Sequence, residues 1–213
     1  MGTYNKGILG AFSGKVGPVV GASWRGKDVL RSLPRKGNRV ATETQLLQRL
    51  KFSTATEFIN SVQPIISKYY GTDNTDKTRR NQAMSYFMKE ALLYVAPNFQ
   101  LIYNKVQIGK GDLLGIQNPT LTAAAATSID ITWTNNSGQG QALATDKLVI
   151  AVYEPTTKTT TYSLNAGERA DGTTNLILPA YLSGLTAQVW VLFASADDKL
   201  YATSMYLGNV VLT

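Results

Sequence analysis

Two hydrophobic rhythms divide the chain. Between about residues 42 and 96, apolar positions recur at helical spacing. Beyond about residue 112 that period vanishes, and short apolar runs alternate with turn residues. Thr42 and Gln45 stand at capping-box spacing and open the first helix. Leu46, Leu47, Leu50, Phe58, Val62, Ile65 and Ile66 follow it, and Pro64 is expected to kink or split the helix. Gly71 and the polar run 72–75 close it. A second helix is predicted over 78–96. Met84, Phe87, Met88, Ala91, Leu92 and Val95 form its apolar stripe, and Pro97 stops it. The two helices are expected to pack as an αα-hairpin. Residues 99–108 alternate as a strand, and Gly109-Lys110-Gly111 reads as a hinge or bulge.

In the second half, residues 118–134, 147–153, 158–164, 175–179, 187–195 and 200–212 are strand candidates. Turn residues separate them, among them Asn135-Asn136-Ser137-Gly138, Asp171-Gly172, Ser183-Gly184 and Asp197-Asp198. Short strands at this spacing predict a β-sandwich. At the front, glycines recur through 7–26. Residues 18–25 read as a strand, Gly26-Lys27-Asp28 as a tight turn, and 29–33 as the return strand. A lone two-stranded ribbon is marginal in water, so this one is expected to add to a larger sheet, from this chain or another. The predicted fold class is α+β. A Gly-rich β-ribbon and a two-helix hairpin occupy 1–112, and an immunoglobulin-like antiparallel sandwich occupies 113–213.

Charge adds a polarity to this division. The 213-residue chain carries a net +7, distributed as +8 over 1–51, +2 over 52–112 and −3 over 113–213. A basic front on a mildly acidic back suggests two modules with different jobs. The absence of Cys removes disulfides, thiol nucleophiles and Cys-bearing zinc sites. The absence of His removes the usual neutral-pH acid–base and the commonest transition-metal ligand. The chain is not expected to be an enzyme, and no catalytic residue, cofactor or metal site is assigned. Gly7, Gly10, Gly14 and Gly17 break the apolar start, which does not suit a secretory signal. No apolar run reaches the roughly 18 residues of a membrane span. The expected location is the cytoplasm, with release in a virion or assembly if the protein acts outside.

Lys15, Trp24, Arg25, Lys27, Arg31, Arg35, Lys36 and Arg39 are the candidate site, as an interface or polyanion contact. Basic side chains interleaved with an aromatic suit single-stranded nucleic acid. The alternatives are a solvated basic face or an interface to an acidic neighbour, and no recognition-helix signature accompanies the charge. Six phosphate contacts would cost about 10³-fold in affinity between ~50 and ~200 mM salt. Gly10, Gly14 and Lys15 approach a phosphate-binding loop, but the spacing is one residue short and Val16 replaces its Ser or Thr. Arg79-Arg80 sits at a helix N-terminus, against the dipole; an ion pair elsewhere would use these charges, but a frayed, solvated turn is the commoner explanation. Asp171, Asp197 and Asp198 read as turn residues. Trp133, Trp190, Tyr181, Tyr201 and Tyr206 read as core or cross-strand aromatics.

Two resemblances follow. Trp133 in SIDITW and the segment LILPAYLSGLTAQVWVLFASADDKLYATS make residues 115–213 similar to a fibronectin type III or immunoglobulin-like sandwich. Ala187 or Gln188 stands at the expected corner tyrosine. SGKVGPVVGASWRGKDVLRSLP, followed by TETQLLQRLKF, resembles the opening of a Bacteroidota family of unknown function. The resemblance implies no activity. The expected function is a non-enzymatic structural protein, a virion component or filament, that self-assembles head to tail through its basic N-terminal segment. The alternative is a nucleic-acid-associated protein gripping the phosphate backbone with residues 15–51. The expected partners are copies of the chain or nucleic acid, with no membrane span and no small-molecule substrate.

Overall fold

The computed structural model describes residues 2–3 (backbone), 13–24, 27–34, 37, 40–72, 77–125 and 127–212. The chain forms two compact units, Met1–Thr42 and Glu43–Thr213. The first unit is an antiparallel sheet of β1 (Gly2–Thr3), β2 (Gly14–Val16), β3 (Val19–Trp24) and β4 (Lys27–Ser32), in the order β1-β4-β3-β2. β3 and β4 are the ribbon expected from the sequence, paired from Val19↔Ser32 to Trp24↔Lys27. Lys27 and Asp28 lie in β4 rather than in a turn. The larger sheet that the ribbon needs comes from strands of the same chain. Among the described residues of this unit, only Gly21 and Val29 are buried.

The second unit begins with three helices, α1 (Glu43–Ser61), α2 (Gln63–Tyr69) and α3 (Arg79–Glu90). The first helical run does split. Val62 separates α1 from α2, and Pro64 sits in the first turn of α2, where its missing N–H costs nothing. The second predicted helix is shorter than expected. Leu92–Val95 is β5, paired with β6 (Asn98–Leu101) from Leu92↔Leu101 to Val95↔Asn98. Pro97 cannot continue a helix, and the run Leu-Leu-Tyr-Val suits a strand whose Leu92 is its one buried residue. Residues 99–108 are correspondingly strand only as far as Leu101, with a 3₁₀ turn after it at Tyr103–Lys105.

The sandwich follows with β7 (Gln117–Ala124), β8 (Ser128–Thr134), β9 (Lys147–Glu154), β10 (Thr159–Ser163), β11 (Thr173–Ile177), β12 (Thr186–Ala194) and β13 (Met205–Val211). Its sheets run β11-β8-β7 and β10-β9-β12-β13, antiparallel throughout. Three strands over four in this order is the arrangement of a type III sandwich. Alternation in β9 and β12 sends side chains to both faces. Leu148, Ile150, Val152, Val189, Val191 and Phe193 share a core with Ile129, Ile131 and Trp133 of the other sheet. Val149, Ala151, Tyr153, Trp190 and Leu192 instead pack with Phe58, Ile59, Ile65 and Phe87 of the helices. The four-stranded sheet is therefore a middle layer, covered by strands on one side and helices on the other.

This arrangement moves the predicted boundary. A division at 112/113 would cut the core shared by helices and sandwich. The compact units separate at 42/43, so the helices belong with the sandwich. The segment 109–111 is accordingly not a hinge. Lys110 N donates to Tyr69 O, and Gly71 N donates to Lys110 O, each at 2.8 Å. On the other side, Ser204 N donates to Gly109 O at 3.0 Å, and Leu113 N donates to Tyr201 O at 3.0 Å.

One surface turn carries a pH dependence. Glu154, 2% exposed, ends β9 and accepts the backbone N–H groups of Thr156 at 2.7 Å and Thr157 at 2.5 Å. Burial opposes its ionisation, and these donors overcome it, lowering its pKa from 4.5 to about 2. A carboxylate depressed in the folded state contributes fully above pH 4.5, and that contribution is lost as pH falls toward 2. Thermal melts from pH 7 to pH 3 should show a steeper loss for the wild type than for Glu154→Gln. Parallel curves would refute the assignment.

Candidate functional site

The register of the N-terminal sheet decides which of its side chains act together. Residues paired across neighbouring strands share a face. Lys15 pairs with Val20, Val20 with Arg31, Ala22 with Val29, and Trp24 with Lys27. Lys15, Trp24, Lys27 and Arg31 therefore stand on one face, around Val20, Ala22 and Val29. All four are exposed, and Trp24 retains 52% of its accessible surface. Asp28 pairs with Ser23 and belongs to the opposite face. Among the described residues, no ion pair involves Lys15, Lys27 or Arg31. Arg25, Arg35, Lys36 and Arg39 lie outside the described residues. Lys15 extends in β2, and the residues before Ser13 that would complete a phosphate-binding loop also lie outside them.

The other sequence candidates have structural roles. Arg80 donates to Gln63 Oε1, and to Asn60 Oδ1 at 2.6 Å, which ties α3 to the other helices. The Arg79 guanidinium lies 5.5 Å from the centre of the Tyr201 ring. Thr78 caps α3 by accepting from Asn81 N. The Asp197-Asp198 turn fastens its surroundings. Asp197 accepts from Ser195 Oγ at 2.7 Å, while Asp198 accepts from Tyr69 Oη at 2.9 Å. Asp171 accepts the Glu168 backbone N–H at 2.7 Å in a reciprocal cap. Trp133 and Trp190 are core residues, but Tyr181 is 60% exposed. Gln188, near the missing corner tyrosine, accepts from Tyr206 Oη at 2.5 Å.

A buried polar node in the sandwich has no counterpart in the sequence reading. Arg169 and Asp146 are both 0% exposed, and Arg169 Nε lies 3.0 Å from Asp146 Oδ2. Arg169 also donates to Asn136 Oδ1 at 2.5 Å and to Leu114 O at 2.8 Å. Its guanidinium lies 3.9 Å from the centre of the Phe193 ring, and its carbonyl accepts from Trp133 Nε1 at 2.9 Å. Burial pulls its pKa down, and Asp146 opposes that shift. The partners come from residues 114, 133, 136, 146 and 193, so no local motif marks the node.

Among the described residues, no three His, Cys, Asp or Glu side chains come together as a metal site. No described helix is long and apolar enough to cross a membrane. A comparison with curated proteins gives no match. Among solved structures, the fn3 domain of the human collagen alpha-1(XX) chain aligns with 49% of this chain and 90% of that chain. The identity is 12% and the TM-score 0.35. The model of a family of unknown function, DUF6266, matches residues 11–208, and the chain belongs to that family.

Proposed function

We propose that the chain is a non-enzymatic structural protein that self-assembles head to tail, as a virion component or filament does. The cationic face of its N-terminal sheet is the contact surface. One observation supports this reading above the others. Lys15, Trp24, Lys27 and Arg31 share one face of the sheet and are all exposed, around the buried Val29. Stable domains stack two layers, and a sheet with only two buried residues among those described gains from added cover by a neighbour. Residues 113–213 carry seven acids against four cations; with Asp146, Glu154 and Arg169 buried, five acids against three cations remain to offer a complementary charge. A contact between two unlike surfaces propagates into rings or filaments.

Light scattering on the full chain tests it. The wild type should gain mass with concentration at low salt and lose it at high salt. The variant Lys15→Glu/Lys27→Glu/Arg31→Glu should stay monomeric. A wild-type monomer at high concentration in low salt would overturn the reading.

A second reading rests on the charge of the compact units. Residues 1–42 carry eight Lys and Arg against Asp28 alone, a net of +7, while 43–213 carry 13 of each sign. The entire net charge thus belongs to the unit that presents Trp24, as a nucleic-acid contact requires. The three described cations alone predict about a 40-fold loss of duplex DNA affinity between ~50 and ~200 mM salt. Gel retardation that is absent in the wild type at low salt would remove this alternative.

A further inference from the structure

A groove in the second unit runs between α1, β6 and the edge of the four-stranded sheet. Its volume is about 620 Å³, within the range of small-ligand pockets. Phe58, Phe99, Tyr103 and Tyr153 supply aromatic wall, and Asn98 and Gln100 supply side-chain amides. Glu57 and Lys158 complete it, with both carboxylate oxygens 3.0 Å from the ammonium.

We infer that this groove binds a neutral oligosaccharide. The first ground is Tyr153. It is 5% exposed, it lines the groove, and among the described residues its hydroxyl has no hydrogen-bond partner. Among the described residues the buried unpaired side-chain atoms are Tyr70 Oη and Asp146 Oδ1, so the Tyr153 hydroxyl is open to the groove, where it can donate to and accept from a ligand hydroxyl. Burial, with Tyr103, Glu57 and Glu154 nearby, pushes its pKa up to about 12, so it remains a neutral donor.

The second ground is charge. Glu57 and Lys158 cancel each other. They are the only charged side chains among the described residues that line the groove. Nothing there selects an anion or a cation. The third ground is the mixture of groups. A pyranose has an apolar C–H face for an aromatic ring and neighbouring hydroxyls that both donate and accept. Phenol, amide and carboxylate groups match those hydroxyls. An aliphatic ligand would leave the same groups unpaired, at a cost for each.

Saturation-transfer NMR and calorimetry on the full chain, with maltotriose, cellotriose and chitotriose as probes, test the assignment. At least one should bind. Tyr153→Phe should weaken that binding by about tenfold while leaving Tm unchanged, because the lost hydroxyl has no partner in the fold. Gln100→Ala should weaken it independently. The triple substitution in the N-terminal sheet should leave it intact, which separates this site from the assembly surface. Absence of binding by all three sugars would overturn the inference. Full affinity in Tyr153→Phe, or a fall in its Tm, would do the same.

Discussion

Arg169→Met should destabilise the second unit by about 3–5 kcal/mol, the range for breaking one side of a buried ion pair. At roughly 2–4 °C per kcal/mol for a domain of this size, Tm should fall by about 6–20 °C. The cause is the charge left behind. Asp146 is 0% exposed, and its Oδ1 already lacks a hydrogen-bond partner. Without the guanidinium at 3.0 Å, its Oδ2 keeps only the Leu143 N–H, at 2.9 Å. The Leu114 carbonyl and the Asn136 amide oxygen lose their donor as well, while the Gly115 carbonyl keeps Asn136 Nδ2 at 2.9 Å. Adding Asp146→Leu should recover much of the loss, because a buried pair replaced by apolar groups of similar size is often close to neutral. Chemical denaturation of both variants measures this. A single variant within about 1 kcal/mol of wild type would show that the node contributes little.

Gly111→Ala should be about as damaging, for a steric reason. A Cβ at Gly111 would lie 2.1 Å from the Tyr201 carbonyl oxygen and 2.6 Å from its ring. The neighbouring atom is backbone and cannot rotate away. Leu113 N bonds that same carbonyl, and Thr203 Oγ1 donates to Gly111 O at 3.0 Å. Opening this contact would separate the segment 109–111, which is bonded to the end of α2, from residues 201–204, which lead into β13. The expected cost is about 3 kcal/mol or more, at the upper end of overpacking substitutions. Gly115→Ala is the matched control, since a Cβ there meets nothing within 4 Å. Equal melting temperatures for the two variants would refute the close-approach argument.

Much of this fold is legible along the chain, because its determinants are local. Thr78, Pro64 and Pro97 act on their own backbone, and the sandwich strands fall where apolar runs meet turn residues. The β3–β4 ribbon follows from the same logic. The failures share a different cause. The run Leu92–Val95 fits both a helical stripe and a strand, and only the pairing with β6 chooses between them. The helices were separable from the sandwich by composition, yet Trp190 and Tyr153 bind them to it. A signal did exist: β9 and β12 are apolar on successive residues, whereas a sheet with one solvated face alternates.

The candidate site divides in the same way. The sequence by itself determined that the front of the chain is cationic and that neither thiol nor imidazole chemistry is available. It also determined the order and type of most elements, since charge, composition and turn preference belong to single residues or near neighbours. Only tertiary structure decided that Lys15, Trp24, Lys27 and Arg31 share a face, because a register shift of one residue would send a strand's side chains to the other side. It alone brought Arg169 to Asp146, 23 residues away, and set Tyr153 at the wall of a groove built by α1 and β6. Contacts between distant segments depend on how layers stack, and no local pattern of side chains encodes that.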